Sequence, residues 1–400
     1  MLSGTDVNQR TALSTSILCL ISALLPFLIY LPMMLRQSTR QYDYIVHLRE
    51  AYRISQGGSA HGPHMLFHWL TASIAKFTTF SIATSALTLL SLCIILTAIL
   101  LFICAHKKIV NKYLLIFFPV LSLTVQPFFI LYLLDKHSYF GYIGTNVYHN
   151  PTMLLLKPFI VSVFLIAAFI FIDNRSSNPT WVKFILPVFV LLSALAKPSF
   201  LIVFVPGLSI YLISQYLCGK KFDWKLLIIA LILPTALTLG WQYWTTYSEN
   251  QIQGLYKGES SIAFAPLTLV RLWSKYLLAK FFLSIAFPIA LLLTFWNSVK
   301  NDHYVVLSWL IFIVGVSQYY LLIEQGPRAA QGNFAWGAQV GAFLLFATSV
   351  RHFLSKSTKD NFISKCKFIR WSFCAALLAM HLLAGGVFYA LEYISPQQFW

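Results

Sequence analysis

Apolar runs long enough to cross a lipid bilayer recur from one end of this 400-residue chain to the other. The chain is 58% hydrophobic and only 10% charged, whereas soluble domains average about 25% charged residues. One or two soluble cores cannot hide so much apolar surface, but a bilayer can, because helices satisfy their own backbone polar groups. The sequence therefore predicts an all-α polytopic membrane protein.

Windows of roughly 20 apolar residues predict about 11 membrane-spanning helices. Residues 64–77 are apolar but too brief to cross comfortably, so we expect them to form an amphipathic helix in the first outer loop. We interpret residues 1–400 as a single integral membrane domain. The predicted spans are 13–34, 80–105, 113–134, 152–172, 182–196, 199–217, 225–245, 276–297, 304–323, 334–350 and 371–391.

Lysine and arginine in short loops predict the orientation of the spans. Cytoplasmic loops carry an excess of these residues, which favours a cytoplasmic N-terminus. We expect a multi-pass protein of the inner (plasma) membrane. The basic loops are 106–112, 173–183, 218–225, 297–303 and 351–370. These inner loops have the composition of plain topological anchors, and the chemically unusual segments then face outward. The outer segments are 35–79, 135–152, 196–200, 247–268 and 324–337.

The first outer segment concentrates ionisable residues in a chain that has few. If 41–55 is helical, Asp43, His47 and Glu50 share one face, and Arg49 and Arg53 form an adjacent pair. A carboxylate near a histidine and arginines suits a general base beside an anion site. A solvated amphipathic helix whose arginines touch lipid head groups explains the same pattern.

Three histidines in the same segment raise the question of a metal site. His61, His64 and His68 have helical spacing, with Pro63 at the first turn. Three imidazoles so placed suit zinc, but few outer carboxylates are available to complete or support the site. Histidines of this kind are also common near lipid head groups, and we expect no metal.

A second cluster surrounds the start of the fourth span. His149 and Asn150 precede Pro151, which fits the first turn of a helix. The free N–H groups of that turn favour an anion. Lys157 lies two turns further on, and Lys197 joins two apolar spans with almost no loop, so each needs a polar environment. A helix cap with a snorkelling lysine is the simpler alternative.

A third cluster lies before the tenth span. Glu324 and Arg328 flank a Gly-Pro turn, and Asn333 follows Gly332, a residue type that permits close backbone approach to a ligand. An ordinary tight loop is the alternative. Basic residues also precede the eighth span, where a head-group-binding helix is an equal explanation; they are Arg271, Lys275 and Lys280.

The N-terminal part of the chain, residues 13–172, resembles the GT-C superfamily of multispan glycosyltransferases that use polyprenyl-phosphate-linked sugars. In that superfamily an acidic residue follows the first span, as Asp43 does in "YDYIVHLREAYR", and a semi-apolar stretch similar to "HGPHMLFHWLTASIAKF" precedes the second. Residues 173–400 would then supply C-terminal transmembrane helices. "YHNPT", "AKPSF" and "GNFAW" resemble motifs of bacterial envelope-polysaccharide proteins. The chain departs from many relatives in carrying Asp135 early in its second outer loop.

The resemblance implies an inverting transfer of a sugar to an acceptor hydroxyl on a glycan or lipid-linked acceptor. Asp43, near His47, would act as the base, and scarce carboxylates favour a reaction without metal or other cofactor. Membrane lipids are expected partners and nucleic acid is not. The implied phosphate- and substrate-binding residues are Arg49, Arg53, His149, Asn150, Lys157, Lys197, Arg271, Lys275, Glu324, Arg328 and Asn333.

Three other functions fit parts of the same pattern. A polysaccharide polymerase or O-antigen ligase, which uses oligosaccharides on lipid pyrophosphate, shares the outward basic surface. A transporter or flippase is less well supported, because transporters place ionisable groups near the bilayer midplane, where most of these spans have none. A structural assembly subunit leaves Asp43 and His149 without a purpose.

Overall fold

The computed structural model describes residues 4–40, 42–59, 62–172, 181–247, 261–356 and 365–394, and most of these residues are helical. The first half of the chain forms α1 (Gly4–Arg40), α2 (Tyr42–Ser55), α3 (Leu66–Phe77), α4 (Ile82–Ala105), α5 (Lys112–Thr124), α6 (Tyr132–Asp135), α7 (Pro151–Phe171), α8 (Val182–Ala196) and α9 (Leu201–Leu217). The second half forms α10 (Trp224–Leu227), α11 (Leu233–Tyr247), α12 (Thr268–Trp273), α13 (Leu277–Ser284), α14 (Ala286–Thr294), α15 (Trp296–Val299), α16 (His303–Leu321), α17 (Ala335–Ser355) and α18 (Lys365–Ile394).

The helices confirm an all-α polytopic membrane protein. Among the described residues, 7 helices are long and apolar enough to cross a membrane, or 8 if the bent pair α13–α14 counts as one span. α8 and α9 are apolar but have only 15 and 17 residues. Every predicted span contains helix, but the expected number of about eleven crossings stays a prediction.

The first outer segment folds as two short helices that pack against each other. α2 confirms the helix expected over 41–55. α3 is a 12-residue helix within the apolar stretch 64–77, too short for a crossing. The helical face expected for the three histidines is wrong, because His64 precedes α3 and only His68 lies on it; His61 lies outside the described residues.

Two of the predicted spans are interrupted, and the exposed backbone groups find partners on α18 and α13. α5 ends at Thr124, and extended residues follow. His381 of α18 donates from Nδ1 to the Gln126 carbonyl at 2.6 Å, and its own carbonyl accepts the Gln126 N–H at 3.1 Å. These bonds matter because unsatisfied backbone groups are very unfavourable in lipid. α13 and α14 meet at a bend of 66°. The bend follows Ser284, because Pro288, four residues later, has no N–H to bond the Ser284 carbonyl.

The segment between α6 and α7 returns into the bundle. Every residue from 141 to 150 is buried. Asn146 Nδ2 donates to the carbonyls of Ser122 and Val125 at 3.3 and 3.2 Å, next to the interruption after α5. Residues 135–152 were expected to be an outer loop, but their long uncharged middle instead packs as core.

The bundle has two chemically different ends, which we name by their residues. The Asp43 end is where α7 begins and α8 ends, and the Asp302 end is where α7 ends and α16 begins. Basic segments around residues 106–108, 297–304 and 351–356 meet at the Asp302 end. Which end faces the cytoplasm stays a prediction. A small antiparallel pairing of β1 (Ile262–Phe264) with β2 (Leu322–Glu324) adds two short strands to the helical fold.

Candidate functional site

Asp43 is held against the start of α7. It lies in the first turn of α2, half-buried, and its Oδ2 accepts a hydrogen bond from Asn150 Nδ2 at 3.2 Å. Asn150 is the N-cap of α7, with its Oδ1 bonded to the Met153 N–H at 3.1 Å. The predicted helix start at Pro151 is thus confirmed, and the cap residue also orients the carboxylate of Asp43.

A chain of hydrogen bonds connects this carboxylate to a lysine from a distant segment. Thr152 Oγ1 donates to Asn150 Oδ1 at 2.6 Å, and Lys197 Nζ donates to Thr152 Oγ1 at 3.3 Å. Lys197 Nζ also lies 4.1 Å from the centre of the Trp336 ring, a favourable position for a cation. Asp43 and Lys197 therefore stand at the two ends of one polar chain.

Burial changes the proton affinity of both charged groups. It raises the pKa of the Asp43 carboxyl, although the Asn150 hydrogen bond and the positive charge of Lys197 act in the opposite direction. Burial lowers the pKa of Lys197 to about 8, with the charge of Asp43 acting against that shift. With a pKa of about 8, the ammonium of Lys197 is still mostly protonated at neutral pH.

His149 lies beside this chain but is not a cation. Burial and the positive charge of Lys197 hold the pKa of His149 well below its usual range. The imidazole is thus neutral, with Nδ1 3.9 Å from Glu392 Oε1 and the ring 5.3 Å from that of Tyr139. The expectation that His149 neutralises a phosphate is not supported, because the side chain has no charge to give.

The predicted catalytic histidine, His47, pairs with another histidine instead of with Asp43. His47 Nδ1 lies 2.8 Å from His68 Nε2. Burial lowers the pKa of both, that of His68 to about 4, so one neutral ring donates to the other. His64 is also neutral, since burial and the positive charges of Lys197 and Arg328 lower its pKa to about 3.

The two arginines of α2 are not brought to Asp43. Arg49 is exposed, and Arg53 pairs with Glu50 through Nε and Oε2 at 3.1 Å. Lys157, in contrast, is buried inside α7, where Nζ donates to Asn146 Oδ1 at 2.7 Å and lies 4.0 Å from the Phe343 ring. The Lys157 side chain does not extend to the membrane surface, because Asn146 of the buried segment between α6 and α7 supplies its polar partner.

The third predicted cluster does form, but its charges satisfy each other. Glu324 Oε1 forms an ion pair with Arg328 Nε at 3.0 Å and accepts from the Tyr247 hydroxyl at 2.6 Å, while Asn333 donates to Oε2. Gly332 has φ +64°, and a Cβ there would lie 2.1 Å from the Trp273 ring. The close approach expected for this glycine is therefore to a tryptophan of the chain itself.

The basic group before the eighth span is divided. Arg271 and Lys275 are exposed, and α12 ends at Trp273, between the two residues. Lys280 is fully buried, with Nζ 2.6 Å from Asp135 Oδ2 and 2.8 Å from the Phe140 carbonyl. The single helix expected to bind head groups is absent from this described segment, and Asp135 is occupied as the partner of Lys280.

Sequence reasoning missed several members of the site. Thr152 links Lys197 to Asn150, and Trp336 covers the ammonium; nothing in the local pattern distinguishes them from an ordinary helix-start threonine and an interfacial tryptophan. No group of three or more potential ligands among the described histidine, cysteine and acidic side chains is arranged to hold a metal ion.

Comparison with protein-family models produced no match, and comparison with curated proteins produced none either.

Proposed function

We propose that the protein is a membrane glycosyltransferase that moves a sugar from a polyprenyl-phosphate donor to an acceptor hydroxyl. The observation that carries the proposal is the placement of Asp43 and Lys197 at the two ends of one hydrogen-bonded chain. Glycosyl transfer needs both signs of charge in one place, because a hydroxyl proton is removed while a phosphate leaves as an anion.

In this mechanism Asp43 takes the proton of the acceptor hydroxyl as its oxygen attacks the anomeric carbon. The bond from that carbon to the phosphate oxygen breaks, and the phosphate keeps the electron pair. A raised pKa makes Asp43 a stronger base than an ordinary aspartate. A single displacement inverts the anomeric configuration.

Lys197 is the cation that we assign to the leaving phosphate. It is buried, and its partners among the described residues are neutral, the Thr152 hydroxyl and the Trp336 ring. A positive charge that no described carboxylate touches is available to an incoming anion, and such electrostatic stabilisation is usually a large term in catalysis. Arg328 is a weaker assignment, because Glu324 already matches its charge.

The test compares charge-removing variants with matched controls of the same residue type. Purified protein in proteoliposomes receives a panel of synthetic polyprenyl-phosphate monosaccharides and a glycan acceptor fraction, and sugar transfer is measured. Asp43→Asn should lower transfer by about 10²–10⁴-fold, the usual contribution of a general base. Glu50→Gln, on the same helix, should lower it far less.

Lys197→Met should weaken use of the donor, whereas Lys275→Met, an exposed lysine, should leave it unchanged. Near-normal transfer by folded Asp43→Asn refutes the assignment of the base. Transfer from oligosaccharide pyrophosphates alone would indicate a polymerase or ligase. Movement of lipid between leaflets without transfer by the wild type would indicate a flippase.

A further inference from the structure

A second set of polar side chains forms a connected group at the Asp302 end. Ser298 Oγ lies 3.0 Å from His352 Nε2, and His352 Nδ1 lies 2.8 Å from Asp302 Oδ2. Arg351 donates to the other oxygen of that carboxylate at 2.8 Å, which fixes its orientation. α7 separates this group from the Asp43 end, and its 21 residues span about 30 Å.

The electrostatics of Asp302 determine where the hydrogens lie. Burial alone would raise the pKa of Asp302, but the hydrogen bond from His352 and the charge and hydrogen bond of Arg351 lower it below its usual range. The carboxylate is therefore ionised and only accepts hydrogen bonds, so His352 Nδ1 carries a hydrogen. When the imidazole carries only that hydrogen, Nε2 accepts and the Ser298 hydroxyl donates to it.

This arrangement is the one that activates a serine. A base accepts the hydroxyl proton at one ring nitrogen, and a carboxylate on the other nitrogen sets the tautomer and stabilises the imidazolium. Such triads occur on unrelated folds and are recognised by geometry, not by position in the chain. Here the three residues come from α15, the turn before α16, and the end of α17.

The group opens into a cleft of about 1250 Å³. Ser298, Asp302 and His352 all line the cleft, and Asp302 is the sole carboxylate among the described residues that do so. Two exposed lysines, Lys107 and Lys108, lie along its edge. α7 and α8 contribute mainly apolar side chains to the lining, among them Leu165, Ile166, Phe169 and Phe189.

We propose that Ser298, His352 and Asp302 form a nucleophilic triad that cleaves an acyl ester bond of an anionic lipid. The apolar side chains of α7 and α8 would hold the acyl chain, and the lysines would pair with a phosphate-bearing head group, as basic pockets between membrane helices do. The excess of positive charge selects an anionic head group over a neutral one.

The reaction proceeds in two balanced steps. Ser298 Oγ attacks the ester carbonyl while its proton passes to His352 Nε2, and the lipid alcohol leaves with that proton. The product of this step is an acyl ester on Ser298. Water then attacks the acyl ester in the same way, which releases a fatty acid and restores the serine.

A fluorophosphonate probe tests the nucleophile directly, because it reacts covalently with activated serines. Purified full-length protein in detergent is incubated with the probe, and the modified residue is identified by peptide mass spectrometry. We expect labelling of Ser298 that Ser298→Ala abolishes. Ser214→Ala removes an exposed hydroxyl that bonds only the Tyr211 carbonyl of its own helix and should keep full labelling.

Fatty-acid release from phosphatidylglycerol and phosphatidylcholine vesicles tests the substrate. Release should be faster from the anionic vesicles and should fall by at least about 10³-fold in Ser298→Ala, while Ser214→Ala should retain it in full. Absence of label on Ser298 in folded wild-type protein overturns the triad. Labelling without any fatty-acid release, or equal release by Ser298→Ala, overturns the assigned substrate.

Discussion

The buried pair of Lys280 and Asp135 gives the sharpest prediction about stability. Lys280 is fully buried, and its ammonium touches the Asp135 carboxylate, the Phe140 carbonyl and the face of the Tyr142 ring. Lys280→Met keeps most of the apolar side chain and removes the charge. Asp135 would retain only its hydrogen bonds to Ser274 and to the backbone nearby.

The expected loss of stability follows from the exposure of the two partners. Removing one member of a buried ion pair destabilises a protein by about 3–5 kcal/mol. The Asp135 side chain is 14% exposed, so water relieves part of the penalty, and we expect a loss near the lower limit, about 3 kcal/mol. The double variant Lys280→Met/Asp135→Asn leaves no unpaired charge and should regain at least about 1 kcal/mol.

The assay is SDS-induced unfolding of the purified protein in mixed micelles, followed by near-ultraviolet circular dichroism. Lys275→Met serves as the control, since this lysine is exposed and should change stability by less than about 0.5 kcal/mol. If the loss of stability in the double variant equals the sum of the losses in the two single variants, Lys280 and Asp135 are not energetically coupled and the prediction is wrong. Sugar transfer by Asp135→Asn should persist, because its carboxylate is occupied by Lys280.

Three further outcomes are expected. In a cysteine-free background, Ser59→Cys and Lys108→Cys should react with an impermeant maleimide from opposite sides of the membrane; modification from the same side would contradict the two-ended bundle. Gly341→Ala should lower the free energy of unfolding by about 1–3 kcal/mol, because the added Cβ would lie 2.6 Å from Phe312 Cα. In the control Gly240→Ala, the added Cβ meets nothing within 4 Å and should leave stability unchanged. Equal unfolding midpoints for the two variants would refute this prediction. The kcat/KM for sugar transfer should fall above about pH 8, where Lys197 loses its proton. Lys197→Arg should remove that fall. If the fall above about pH 8 persists in Lys197→Arg, Lys197 is not the group that titrates.

Local chemistry in the sequence predicted part of the candidate site correctly. Asn150 before Pro151 indicated a helix start, and Asn150 is the cap that also holds Asp43. Glu324, Arg328 and Asn333 were grouped by proximity in sequence, and Glu324 does contact both of the others. Such predictions succeed because caps and tight turns depend on residues only a few positions apart.

The charge state of the same residues was not predictable from their types. His149 was expected to be basic, but burial and Lys197 make it neutral. Arg53 was expected to bind an anion, but Glu50 occupies it. In both cases the deciding partner or environment comes from packing, which residue spacing does not specify.

By itself, the sequence determined the class of the protein, because only helices in a membrane can accommodate so much apolar surface and so little charge. It also placed a helix in each predicted span, since apolar length is a local property. Tertiary structure alone decided that Lys197 meets Thr152 and that Ser298 meets His352. These partners lie 45 and 54 residues apart, and only the packing of whole helices determines which side chains from such distant segments share one site.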